Sequence, residues 1–170
     1  GASKGEGLGN KFLGNIRETN AIIHVLRCFD DDNIIHVDVT VDPVRDKETI
    51  DMELQLKDLE ALEKLRDKNV RTAKSGDKEG QKILAICEKY IAHLEAGNSA
   101  RSVDASEDEL EVIETLQLLT AKPVMYMCNV DEESVKTGNK HVSAVKEAVK
   151  EGTKEAVQKA VQEAVSKFGK

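Results

Sequence analysis

A polar tetrapeptide follows an apolar strand late in the chain. The strand begins at Pro123 and runs into Asn129, Val130, Asp131 and Glu132. Open α/β sheets hold ligands at the carboxyl ends of their parallel strands. The amide of Asn129 and the carboxylate of Glu132 offer donor and acceptor groups to such a ligand. On their three-residue spacing alone, a solvated loop after a strand is the simpler interpretation.

A second candidate site is the glycine-rich segment 1–10. Its Lys4, Gly5, Gly7 and Gly9 suit a loop that binds phosphate through backbone N–H groups, with the lysine adding charge. Taken alone, such a motif is commonly just a flexible loop, since glycine adopts backbone angles closed to other residues. The 170 residues contain no G-x-x-x-x-G-K-[ST] segment, which is the usual phosphate cradle.

The spacing of the polar residues predicts neither a metal site nor a catalytic nucleophile. The four histidines are too scattered for a zinc site. Asp30, Asp31 and Asp32 fit a solvated turn at a strand end, because no EF-hand pattern follows them. No Ser/His/Asp or Cys/His arrangement is supported either. We therefore assign no catalytic residue and no metal ligand.

Bulk composition predicts a soluble cytoplasmic chain. Its length fits one domain with room for an appended subdomain, and no apolar run approaches the ~20 residues that span a bilayer. Without such a run we expect no membrane partner. A net charge of −7 argues against a generally basic surface, so we expect no DNA partner, but it leaves local basic patches open. Cys28, Cys87 and Cys128 are interpreted as buried reduced thiols, because an odd count fits a reducing cytosol.

Two buried strands are predicted, at 21–29 and 124–128. The first is β-branched and almost continuously apolar, which is typical of a strand covered on both faces. Helices join the two strands, and this favours a parallel pairing. A short helix over 11–19 precedes the first strand, and an extended segment over 34–41 follows it.

The middle of the chain has helical periodicity. Helices are predicted over 46–73 and 78–96, joined at Ser75-Gly76-Asp77 into an αα-hairpin, with Gly97 ending the second. A third helix opens at the capping-box sequence Ser106–Glu109. It is expected to carry four apolar residues and to end near Lys122: Leu110, Ile113, Leu116 and Leu119.

An amphipathic helix is predicted over 141–168, either continuous or broken at Gly152. Its stripe is mainly valine, and Lys, Glu and Gln fill the other faces. We expect this helix to cover sheet surface. The regular Ala, Val, Lys and Glu usage of 151–170 looks idealised and is compatible with an engineered tail.

The helical hairpin carries a basic stretch that can contact RNA or an acidic partner. Acidic residues alternate with the basic ones, so a salt-bridged solvent face is the competing interpretation. The basic residues are Lys57, Lys64, Arg66, Lys68, Arg71, Lys74 and Lys78. The acidic ones include Asp58, Glu60, Glu63 and Asp67.

Long stretches of this sequence resemble the YchF/Obg-like ATPases, a family of translation-factor-related P-loop NTPases. The resemblance covers roughly 1–150, in family order. It rests on GASKGEGLGNKFLGNIRE, AIIHVLRCFDDDNIIHVDVTVDPVRD, ELQLKDLEALEK, LQLLTAKPVMY and CNVDE.

The resemblance implies roles for both candidate sites. Lys4, Gly5, Gly7 and Gly9 match a switch II loop, near the γ-phosphate. Asn129, Val130 and Glu132 match the base-binding N-x-x-E motif, which replaces the N-K-x-D of ordinary GTPases and favours adenine over guanine. ATP (or GTP) with Mg²⁺ is the implied cofactor. Ribosomes are an implied partner.

The resemblance also implies a domain plan. Residues 1–46 and 120–150 match part of a P-loop NTPase (G-domain) core, and 47–119 match a protruding coiled-coil arm. The P-loop and the C-terminal TGS-type domain of the family have no counterpart in these residues, so we expect a fragment with negligible hydrolysis. The expected fold is α/β, with a small mainly parallel sheet, a helical arm and a long C-terminal amphipathic helix. A helical protein or RNA interaction module, and a purely structural chain, are the alternatives.

Overall fold

The computed structural model describes residues 9–30 and 40–150. The elements, in chain order, are α1 (Gly9–Arg17), β1 (Ile22–Arg27), α2 (Pro43–Lys74), α3 (Lys78–Glu95), α4 (Glu107–Glu114), β2 (Val124–Asn129), a single turn α5 (Ser134–Thr137) and α6 (140–150). Short 3-10 turns occupy Ala100–Ser102 and Leu119–Ala121. The predicted extended segment 34–41 lies mostly outside the described residues, and the predicted tail 151–170 lies entirely outside them.

The described residues form two compact units. One contains 9–22 and 50–124, and the other contains 23–30, 40–49 and 125–150. None of the described helices has the length and apolar character needed to cross a lipid bilayer.

The two predicted strands pair in a two-stranded parallel sheet. Ile22 N–H donates to Pro123 O, and Cys28 N–H donates to Asn129 O. The residue number increases along both strands together, from Ile22 and Pro123 to Cys28 and Asn129, so the strands run in the same direction. The predicted α/β class and the parallel arrangement are therefore confirmed.

The two faces of this sheet differ. On one face, Leu26 and Cys28 are buried against Val145 of α6, with Val142 and Val149 packed beside them. This is the contact expected of the amphipathic helix over its described part. The other face exposes four large apolar side chains: Ile23, Val25, Met125 and Met127.

Helices α2 and α3 form the predicted hairpin. Gln55 Nε2 donates to Gly97 O, while Gln81 Nε2 donates to Ala73 O, so the helices are antiparallel. The Asp77 side chain caps α3 by accepting from Gly80 N–H at 2.7 Å. Gly97 ends the helix at φ 83°, as predicted, in the left-handed region that favours glycine.

Pro43 is the first residue of α2. Asp42 Oδ1 accepts from the N–H groups of Val44 and Arg45, at 3.2 and 3.0 Å, and therefore caps the helix. Proline suits the first helical position because its missing N–H would have no partner there.

The predicted third helix is shorter than its apolar spacing suggests. The capping box of Ser106 and Glu109 is present, but α4 ends at Glu114. Gln117 adopts φ 48°, which breaks the helical path before Leu119. Leu118 and Leu119 are both buried beyond this break. The expectation of a helix continuing through Leu116 and Leu119 was wrong, because a non-helical connector buries leucines equally well.

Charged side chains hold this connector, which spans 116–122. Arg17 Nη1 donates to Leu116 O and Gln117 O, and Arg101 Nη1 donates to Thr120 O and Lys122 O. Lys122 Nζ donates back to Arg17 O and Thr19 O. The approach to β2 is thus fixed by hydrogen bonds between cationic side chains and backbone carbonyls.

Asp58 of α2 completes the hold on the connector. Its carboxylate accepts from Leu119 N–H, Thr120 N–H and Thr120 Oγ1, each at 2.7 Å. The residue is 0% exposed. Asp58 was grouped above with the solvent-facing acids, and that placement was wrong. Burial raises the pKa of Asp58, although the hydrogen bonds from Thr120 and Leu119 and the charge of Arg17 oppose the shift.

Candidate functional site

In the tetrapeptide at the end of β2, the side chains of Asn129 and Glu132 point into solvent. Asn129 is the last residue of the strand and is exposed, as is Glu132 in the following turn. Among the residues that the structure describes, neither side chain has a hydrogen bond or an ion pair. Both remain available to a ligand.

The residues between them serve the loop itself. Asp131 Oδ1 accepts from Ser134 N–H at 2.7 Å, which closes the turn that precedes α5. Hydrogen bonds from the side chain and backbone of Ser134 lower the pKa of Asp131. Val130 is half-buried and packs against the apolar cluster beneath the sheet. Val130 and the exposed Asp131 therefore contribute contacts to the loop itself, whereas the side chains of Asn129 and Glu132 make none among the described residues.

The end of β1 lies under the start of α6. His141 Nε2 lies 3.1 Å from Asp30 Oδ1, and Lys140 Nζ lies 3.1 Å from Asp30 Oδ2. The hydrogen bonds from Lys140 and His141 lower the pKa of Asp30. The predicted solvated role of Asp30 therefore needs amendment, because this carboxylate is bonded to the first turn of α6. Asp31 and Asp32 lie outside the described residues.

The glycine-rich loop falls almost entirely outside the described residues. Lys4, Gly5 and Gly7 lie there, and Gly9 is the first residue of α1. Its predicted switch II role stays a prediction.

The basic residues of the hairpin divide into two groups. Lys57 bonds Glu60 at 2.9 Å, and Arg66 bonds Asp67 at 3.0 Å. The others are exposed, and no ion pair within the described part of the chain involves them: Lys64, Lys68, Arg71, Lys74 and Lys78. We call residues 64–78 the hairpin tip.

The hairpin tip carries excess positive charge. Each of its two acidic residues already has a partner nearby: Asp67 forms an ion pair with Arg66, and Asp77 caps α3. The exposed cations can thus meet an anionic partner without first breaking an internal pair. Sequence reasoning found these residues but could not separate the paired cations from the unpaired ones.

The three cysteines are free thiols. Cys28 and Cys87 are buried free thiols, whereas Cys128 is half-buried. Burial, with the hydrogen bond and charge of Cys128, raises the pKa of Cys28 to about 12. Across residues 9–30 and 40–150, no group of three or more His, Cys, Asp or Glu side chains is arranged to hold a metal ion.

Comparison with curated proteins gives consistent relatives. The chain is 49% identical over 147 residues to the "Ribosome-binding ATPase YchF" of Haemophilus ducreyi, covering 86% of this chain and 40% of that protein. The Bacillus subtilis protein of the same name is 46% identical over 149 residues, with coverages of 86% and 41%. "Obg-like ATPase 1" of Oryza sativa subsp. indica is 48% identical over 134 residues, with coverages of 78% and 34%.

A solved structure agrees with these relatives. The YchF GTPase of Schizosaccharomyces pombe matches with a TM-score of 0.76 and 40% identity, over 89% of this chain and 42% of that chain. No family model matches the sequence. The chain spans about two fifths of the length of the bacterial relatives above. Over the segment that it shares with these proteins, the chain is homologous to the YchF/Obg-like ATPases.

Proposed function

We propose that this chain carries the purine-recognition loop of a cytoplasmic, ribosome-associated protein that binds ATP or GTP with Mg²⁺. The observation that carries the proposal is the arrangement of the loop over 129–132. The side chain of Asp131 accepts a hydrogen bond within the turn. Within the described part of the chain, the side chains of Asn129 and Glu132 have no such bond and are exposed at the carboxyl end of a parallel strand. Relatives named as ribosome-binding ATPases support the assignment.

Glu132 is the proposed determinant of base preference. An Asp in the standard GTPase position accepts two hydrogen bonds from the guanine edge, and Glu is one methylene longer, which displaces that acceptor. The bacterial relatives are named ATPases, whereas the fission-yeast protein is named a GTPase. The ratio of ATP to GTP affinity is therefore the quantity to measure.

Fluorescent ATP and GTP analogues titrated against the chain, with and without Mg²⁺, test this role. We expect tighter binding of ATP, a loss of binding in Asn129→Ala, and a shift toward GTP in Glu132→Asp. Glu133→Asp is the matched control, because Glu133 is a neighbouring exposed carboxylate outside the motif. Equal effects of Glu132→Asp and Glu133→Asp, or no binding by the unaltered chain, would refute the proposal.

Hydrolysis is not expected from a polypeptide of these residues alone. Phosphoryl transfer depends on the electrostatic stabilisation that a P-loop lysine and Mg²⁺ ligands supply. Normal ATP turnover by the purified 170-residue polypeptide in a steady-state assay would contradict this expectation.

The hairpin supports a second role, as the protein- or RNA-contacting arm. We propose that residues 47–119 form this coiled-coil arm and that 1–46 and 120–150 form the nucleotide-domain part. The unpaired cations of the hairpin tip favour an anionic partner, and phosphate contacts of this kind weaken as salt rises.

Co-sedimentation with ribosomes tests the arm. We expect the charge reversals Lys68→Glu and Arg71→Glu to reduce binding strongly at low salt, with a shallower salt dependence. Lys57→Glu is the control, because Lys57 is already paired with Glu60. Ribosome binding without nucleotide binding would favour an interaction module, and neither activity would favour a structural chain.

A further inference from the structure

Both backbone groups of Cys28 hold the loop that follows β2. Its N–H donates to Asn129 O at 2.7 Å, which fixes the start of the loop. Its carbonyl accepts from Asn139 Nδ2, also at 2.7 Å. Cys28 is itself fully buried, so this carbonyl needs a partner from the protein.

The side chain of Asn139 connects this carbonyl to two further elements. The same Nδ2 donates to Ser134 Oγ at 3.2 Å, at the far end of the loop. Its Oδ1 accepts from Val142 N–H at 3.0 Å and so caps α6. One half-buried amide thus joins the end of β1, the end of the loop and the start of α6.

Apolar and ionic contacts hold the start of α6, next to Asn139, against the end of β1. Val142 and Val145 of α6 pack on the buried face of the sheet beside Cys28. His141 and Lys140 bond Asp30, the residue two positions beyond Cys28. These contacts hold the first turn of α6 against the end of β1, and Asn139 extends that hold to Ser134.

We infer that Asn139 is a positioning residue for the purine-recognition loop. It fixes the Ser134 end of the loop, while the strand ladder fixes the Asn129 end, so that the side chains of Asn129 and Glu132 project from a loop anchored on both sides. The inference rests on the proposed function. It adds a residue outside the N-x-x-E motif that governs how well the motif reads a base.

The substitution Asn139→Ser separates positioning from helix capping. Serine is a good N-cap, so it keeps the bond to Val142 N–H, but its short side chain cannot also donate to Cys28 O and Ser134 Oγ. Asn139→Ala removes all of these bonds. Asn69→Ala is the matched control, because Asn69 Nδ2 makes one bond to Leu65 O within α2.

Two readouts are taken on the full chain. Amide exchange of Ser134, whose N–H is bonded to Asp131, reports loop order without any nucleotide. Titration with ATP and GTP analogues reports base discrimination. For Asn139→Ser we expect roughly 3- to 10-fold faster Ser134 exchange and a similar weakening of ATP binding, together with a lower melting temperature, because the buried Cys28 carbonyl loses its partner.

The outcomes separate this inference from the proposed function. If the unaltered chain binds ATP and Asn139→Ser changes neither exchange nor affinity, the positioning role is overturned while the function stands. If the unaltered chain binds no nucleotide, the function fails, and Ser134 exchange alone decides: faster exchange in Asn139→Ser supports the anchoring role, and unchanged exchange overturns it. Equal effects of Asn69→Ala on Ser134 exchange would also overturn it.

Discussion

The two ends of the helical hairpin use charge in opposite ways. Near the root, the Asp58 carboxylate is buried and accepts three hydrogen bonds from Leu119 and Thr120. At the hairpin tip, the side chain of Asp67 is 68% exposed and the neighbouring cations face solvent. Both carboxylates belong to the same helix. The contrast shows that the role of a carboxylate depends on its surroundings. Asp58 stabilises the fold because buried hydrogen-bond donors surround it, whereas Asp67 remains on the surface.

The root is expected to be far more sensitive to mutation than the tip. Removing the Asp58 side chain leaves two backbone N–H groups and one hydroxyl without their acceptor in a buried setting. We expect Asp58→Ala to cost about 3–5 kcal/mol of unfolding free energy, measured by urea denaturation. Asp67→Ala, on the exposed face, is expected to change stability by less than about 0.5 kcal/mol. Similar costs for the two variants would remove the distinction.

The glycines sharpen the comparison with a steric test. A Cβ on Gly80 would lie 3.0 Å from Ala73 N and 3.2 Å from Thr72 Cβ, so α2 and α3 approach too closely there for a side chain. We expect Gly80→Leu to cost about 1–3 kcal/mol by overpacking. A Cβ on Gly14 of α1 would meet nothing within 4 Å. Gly14→Leu is expected to stabilise the chain by up to about 1 kcal/mol, and a loss there would count against the steric explanation.

Acid titration separates the buried carboxylate from the bonded surface one. The pKa of Asp30 is lowered below 3.8, so its contribution is present above that value and is lost as pH falls through the folded pKa. The pKa of Asp58 is raised above 3.8, so its ionisation favours the unfolded chain as pH rises from 3.8 toward the folded pKa. Asp30→Asn should reduce the loss of stability on acidification, whereas Asp58→Asn should increase it. Thermal unfolding measured from pH 2 to 7, about the range in which carboxylates titrate, checks both signs.

The smallest stability effect is expected at the hairpin tip. Lys68 and Arg71 are exposed, so their reversal to Glu should shift the unfolding free energy by no more than about 0.5 kcal/mol. The same variants are expected to lose ribosome binding. A large loss of stability would mean that the cations serve the fold instead of a partner.

Local signals predicted most elements well. Ser106 and Glu109 predicted the start of a helix because their side chains cap its first backbone N–H groups. Gly97 predicted a helix end because glycine adopts the positive φ required there. The apolar run over 21–29 and the short strand at 124 predicted the parallel pair. Tertiary contacts decided the rest. The connector 116–122 has helical leucine spacing, but its path is set by Arg17, Arg101 and Asp58 from distant parts of the chain.

The functional residues were predictable to different degrees. Asn129 and Glu132 came from the family motif, whose site role the structure leaves as a proposal. Asp58 had a usable signal, since Leu54, Asp58 and Leu62 follow each other at four-residue steps along one buried face. Asn139 had only the weak signal of an N-cap residue before an amphipathic helix, and its bond to Cys28 across 111 residues has no sequence signature.

The buried Cys28 thiol has a practical consequence. At a pKa of about 12 it holds almost no thiolate at neutral pH, and thiolate is the form that alkylating reagents attack. Cys28 should therefore be labelled only during transient openings of the sheet. The rate of its alkylation, followed by mass spectrometry, measures how often these openings occur.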